Sequence, residues 1–109
     1  MTLKIVDRPE FETTVDVATR HLQGSFKVRF VALPGSKLKA AEEKAIRDGK
    51  GPEGLLFEVC TWFEPVELPD VLLQYVDVSS LATLLDYPGI GPAMVKTYFR
   101  ALWEEARGN

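Results

Sequence analysis

The segment Pro88-Gly89-Ile90-Gly91-Pro92 lies between two runs of apolar residues with helical spacing, and it restricts the fold more than any other feature. Leu81, Leu84 and Leu85 precede it, with Ser79 or Ser80 placed to cap the first helix. Val95, Tyr98, Phe99, Leu102, Trp103 and Ala106 follow at intervals of three and four, with Lys96, Arg100 and Glu104 on the other side. Pro-Gly stops one helix, and Pro92 sits in the first turn of the next, where its missing N–H costs nothing. The spacing therefore predicts a C-terminal pair of antiparallel helices. A 109-residue chain has little core to spare, so the aromatic stripe of the last helix is expected inside.

The other end of the chain reads differently. Phe11, Thr13, Val15 and Val17 alternate with Glu12, Thr14 and Asp16, and Phe26, Val28 and Phe30 alternate with Lys27 and Arg29. Period-two alternation of β-branched and aromatic residues predicts two half-buried strands joined as a hairpin, the link ending in Gln23-Gly24. The acidic outer row would face the basic one across the strands. Between hairpin and helical pair, Ser36 is placed to cap a helix over 38–47, with Leu38, Ala41, Ala45 and Ile46 as its narrow apolar stripe. Leu55, Leu56, Val59, Cys60 and Phe63 predict a buried helix over 53–63. The short apolar run over 70–76 fits a helical turn or a strand equally well. The expected architecture is α+β, one domain over residues 1–109 with a flexible lead-in over 1–9. An N-terminal antiparallel hairpin precedes about four helices, and the last two form a helical hairpin.

The chemistry available to this chain is sparse. His21 is the lone histidine, in the hairpin loop, and Cys60 is the lone cysteine, on an apolar face where small buried cysteines are common. One cysteine excludes an internal disulfide and suits a reducing compartment. No Cys/His cluster, acidic cation loop or phosphate loop is present, so no catalytic residue, metal or cofactor is expected. No apolar run approaches the roughly 20 residues that cross a bilayer, and Lys4, Asp7 and Arg8 interrupt the N-terminus too early for a secretory signal. A cytoplasmic protein is expected. Trp62, Phe63, Val71, Leu72 and Tyr75 are the apolar residues hardest to place in one core, and they form the candidate partner-binding surface.

The Pro-Gly-Ile-Gly-Pro turn also resembles that of helix-hairpin-helix DNA-binding motifs, in which glycines let backbone N–H groups approach a phosphate. That resemblance would give Gly89, Gly91, Lys96 and Arg100 a nucleic-acid role. A net charge of -3 opposes it, because proteins whose partner is a phosphate backbone usually carry a basic excess.

A wider resemblance covers most of the chain from Phe11 onward. Ser25-Phe26-Lys27-Val28-Arg29-Phe30 with Leu33-Pro34, then Trp62, then Leu84-Leu85-Asp86-Tyr87-Pro88-Gly89-Ile90 leading to Ala93, Val95, Tyr98 and Ala101-Leu102, resemble the phage tail assembly chaperones in order and spacing. The resemblance implies a non-catalytic binding protein of the bacterial host cytoplasm. Such a protein keeps the long tape measure protein soluble and brings tail tube subunits to it.

Overall fold

The computed structural model describes residues 9–20, 22–67, 72–73 and 78–106, with backbone only for 72, 73, 78, 105 and 106. Strands β1 (Glu10–Ala18) and β2 (Gln23–Val31) form the expected antiparallel hairpin, with Glu12 opposite Arg29 and Val15 opposite Phe26. The turn is tighter than the sequence suggested. Thr19 N–H donates to Leu22 O at 2.7 Å and Leu22 N–H donates to Thr19 Oγ1 at 3.0 Å, so Gln23-Gly24 belong to the strand. Of the expected cross-strand charge pairs, Arg29–Glu12 forms at 3.3 Å, whereas Asp16 faces Ser25 and Lys27 faces Thr14.

Helix α1 (Gly35–Arg47) starts directly after Pro34, so Ser36 lies inside it and does not cap it. Its contact stripe is Leu38, Ala41 and Ala45, while Ile46 is 70% exposed. A stripe at i, i+3 and i+7 leaves the next residue about 100° away, outside so narrow a contact.

The expected helix over 53–63 is the main correction. The chain instead makes a 3₁₀ turn (Pro52–Leu55), one turn of helix α2 (Leu56–Val59) and strand β3 (Cys60–Phe63). Apolar residues at 55, 56, 59 and 63 satisfy a helical period, but Cys60-Thr61-Trp62-Phe63 is β-branched and aromatic and meets an open strand edge. Pairing with β2 overrides the local pattern. β3 runs antiparallel to β2, Val28 opposite Phe63 and Arg29 opposite Trp62, with a register shift beside Phe30. The adjacent aromatics thus take opposite faces, Phe63 at 1% exposure in the core and Trp62 half-buried on the outer face. The ambiguous run over 70–76 contributes a two-residue strand β5 (Leu72–Leu73) that pairs with β4 (Val66–Glu67).

Helices α3 (Val78–Leu85) and α4 (Ile90–Ala106) form the helical hairpin, so the α+β expectation holds. Gly89 takes φ +94° at the turn, a conformation that favours glycine. One core joins both ends of the chain: Val15, Phe26, Val28 and Phe30 from the sheet, Leu55, Leu56, Val59 and Phe63 from the middle, and Leu81, Leu84, Met94 and Tyr98 from the helices.

Tyr98 fastens α4 to the sheet. It is fully buried, stacked on Phe11 with ring centroids 6.2 Å apart and edge-on to Phe30 at 5.1 Å. Its hydroxyl donates to Val31 O at 2.8 Å and accepts from Leu33 N–H at 3.4 Å, satisfying the backbone where β2 leaves the sheet. Burial raises its pKa above the ordinary value of 10.0.

Candidate partner-binding surface

Of the five residues singled out as a partner surface, only Trp62 and Phe63 have side chains within the described part of the structure, and these two take opposite faces of β3. Phe63 is core and leaves the surface altogether. Trp62 stands on the outer sheet face beneath Arg29, whose guanidinium carbon lies 4.7 Å from the ring centroid. Arg29 Nε also donates to Glu12 Oε1, so Glu12, Arg29 and Trp62 make one row across β1, β2 and β3. The backbone of Leu72 pairs with Glu67, and its side chain lies outside the described part of the structure. Val71 and Tyr75 lie outside the described residues.

The structure offers a different apolar surface, on α4. Phe99 is 39% exposed and Trp103 is 65% exposed, one helical turn apart, with Val95 and Leu102 half-buried beside them. Phe99 rests edge-on against Tyr98, centroids 5.5 Å apart, so it stands on a rigid base. The sequence places all these residues in one stripe expected to be core. At about 100° per residue, however, Phe99 and Trp103 lie about 100° and 140° around the helix from Tyr98. The contact that buries Met94, Thr97, Tyr98 and Ala101 cannot also cover them. The width of the apolar arc was therefore the available sequence signal, and its spacing alone concealed it. Lys96 and Arg100 are exposed alongside.

At the helical turn, the two glycines are occupied by protein. A side chain at Gly89 would collide with Thr19, and one at Gly91 would meet Glu53 Cγ at 2.5 Å. The Glu53 carboxylate therefore lies against the start of α4, where a helix-hairpin-helix motif would seat a phosphate. An acidic side chain there suits the positive end of the helix and repels a second anion. Gly89 and Gly91 thus pack the helical turn onto the β1–β2 turn and the 3₁₀ segment.

Cys60 is half-buried and its thiol is pushed up to about 11 by burial, only partly offset by a hydrogen bond from Sγ to Trp62 O. At neutral pH it is a thiol. His21 lies outside the described residues. Among the described residues no group of three or more His, Cys, Asp or Glu is arranged to hold a metal ion, and no helix is long and apolar enough to cross a membrane.

A concavity of about 250 Å³ opens beside the start of β2. Val17, Leu22, Phe26, Pro65, Val66 and Ile90 supply its apolar lining, and Glu64 and Glu67 stand on it with no basic residue among the described ones that line it. Compared with known proteins, the chain matches no family model, no curated protein and no solved structure.

Proposed function

We propose that this protein is a non-catalytic binding protein that grips an apolar helical segment of a partner polypeptide. Following the resemblance in its sequence, we propose that it acts as a phage tail assembly chaperone, with the tape measure protein as its client and tail tube subunits as further partners. The observation that carries the binding reading is the pair Phe99 and Trp103, two large aromatic side chains exposed one turn apart on a helix anchored by Tyr98. Large aromatic residues dominate binding energetics when a partner desolvates them, each typically contributing about 2 kcal/mol or more at the centre of an interface. An amphipathic helix laid along α4 would cover both, and Lys96 and Arg100 at the border favour a client helix with acidic flanks.

Co-expression with the tape measure protein provides the test. The parent chain should move that protein into the soluble fraction and co-purify with it. The double variant Phe99→Asp, Trp103→Asp should lose both effects while keeping the parent's circular dichroism, because both side chains reach solvent. Equal solubilisation by parent and folded variant would remove α4 as the binding surface. Failure of the parent itself to solubilise or co-purify would remove the chaperone reading.

A further inference from the structure

The start of β2 is a strand edge that its own sheet does not use. Ala32 N–H donates to Pro9 O at 2.8 Å and Thr19 N–H to Leu22 O at 2.7 Å. In the register of β1 and β2, these two bonds fix which residues exchange hydrogen bonds with β1: Gly24, Phe26, Val28 and Phe30 point toward it. The backbone groups of Gln23, Ser25, Lys27, Arg29 and Val31 therefore point the other way, toward the β3 side. Further along the strand those groups are engaged. Lys27 O accepts from Glu64 N–H at 2.8 Å, Lys27 N–H donates to Glu64 Oε1 at 3.1 Å, and Arg29 O accepts from Thr61 Oγ1 at 3.3 Å. β3 ends at Phe63, and the chain then turns away through Pro65 into β4. Among the described residues no strand pairs with Ser25 and Gln23 on that side, and the two make no hydrogen bond there.

The concavity of about 250 Å³ lies beside this edge, larger than the roughly 150 Å³ cavity that accepts benzene in an engineered core. Gln23, Gly24, Ser25 and Phe26 line it from β2, and Glu64 to Glu67 and Ile90 line it from elsewhere in the chain, with Phe26, Val66 and Ile90 among its apolar residues. Strand edge, apolar lining and acidic border coincide. We propose that an extended segment of a partner protein adds here as a short strand beside Gln23–Ser25, placing an aliphatic side chain on Phe26, Val66 and Ile90 and a flanking lysine or arginine against Glu64 and Glu67. Backbone bonds to Ser25 and Gln23 supply the pairing, the apolar lining selects an apolar residue, and the two carboxylates select a cation. This site is separate from the α4 surface and stands whether or not that surface binds a client helix.

The probe is the capped pentapeptide acetyl-Lys-Val-Thr-Val-Lys-amide, with acetyl-Glu-Val-Thr-Val-Glu-amide as its counterpart, titrated into the full chain and followed by amide NMR. The lysine peptide should slow hydrogen exchange at the Ser25 and Gln23 amides and bind about tenfold or more tighter than the glutamate peptide. Ser25→Pro deletes the outward N–H and should weaken binding about tenfold. Glu67→Lys lies on an exposed position, leaves the sheet untouched and should reduce or reverse the charge preference, so it decides the matter even if the proline variant fails to fold. No response at Ser25, protection at Glu12, Thr14 and Asp16 instead, or equal binding of the two peptides would overturn the proposal.

Discussion

Strand β2 ends in two contrasting ways on the same side of the sheet. At its C-terminal end, Lys27, Arg29 and Val31 engage Glu64 and Thr61, from β3 and the residue after it, and Tyr98 from α4. At its N-terminal end, Gln23 and Ser25 present the same kind of backbone groups to an open groove. A strand edge left exposed is a template for another chain, and proteins normally blunt or cover it. The closed end shows what this fold spends on satisfying such groups, including a buried hydroxyl on the last helix. The open end, bordered by two carboxylates, is thereby set apart as a place for an incoming segment.

The closed end can be broken most severely at Tyr98. Tyr98→Ala should cost about 3–5 kcal/mol in urea unfolding, since a fully buried aromatic ring is lost together with the bond to Val31 O. Tyr98→Phe keeps the ring and isolates the hydroxyl, and should cost about 1–3 kcal/mol because Val31 O is left buried without its donor. The pH dependence gives an independent check. Burial raises the Tyr98 pKa above 10.0 in the folded state, so the native chain holds that proton more tightly than the unfolded one. Its contribution is complete below the ordinary tyrosine range and declines as the pH climbs past it. The stability difference between parent and Tyr98→Phe should accordingly narrow with rising pH above that range. A difference that stays constant would show that the hydroxyl does not titrate as its burial requires.

A smaller effect is expected at the open end itself. Gly24 takes φ +146°, and nothing lies within 4 Å of where a Cβ would stand. Gly24→Ala meets no clash there, and its cost is backbone strain alone, about 1–2 kcal/mol by thermal unfolding. A neutral result would mean that the strand relaxes to ordinary extended geometry. Glu64→Ala tests the junction of the two ends. It removes an exposed carboxylate that accepts from Lys27 N–H at 3.1 Å, and should cost about 0.5–1 kcal/mol, less than either change at Tyr98.

The sequence announced the two outer units because each obeys one period throughout. Phe26, Val28 and Phe30 alternate across a hairpin, and Val95, Tyr98 and Leu102 repeat along a helix. The middle was not legible in the same way. Leu56, Val59 and Phe63 fit a helix as well as what they became, and the deciding partner, the open edge of β2, lies about 30 residues earlier in the chain. The candidate surfaces were harder still. Trp62 and Phe63 were expected on the surface together, but strand alternation turns Phe63 into the core and leaves Trp62 half-buried on the outer face. The small size of the domain argues for Phe99 and Trp103 in the core, and only the position of Tyr98 on the helix shows that the arc is too wide for one contact. The groove beside Ser25 depends on where β3 stops, which no local pattern encodes.

The smallest expected effect is also the sharpest comparison between the ends of β2. Proline removes one backbone N–H and tolerates extended geometry, so its cost in a strand reports what that N–H was bonded to. At Lys27 the N–H donates to the Glu64 carboxylate, and Lys27→Pro should lose about 1–2 kcal/mol. At Ser25 the N–H points into the groove, away from β1, and the ladder to β1 is untouched. Ser25→Pro should therefore fall within about 0.5 kcal/mol of the parent in urea unfolding. Equal losses at the two positions would mean that Ser25 already has a partner within the chain, and that the two ends of the strand are alike after all.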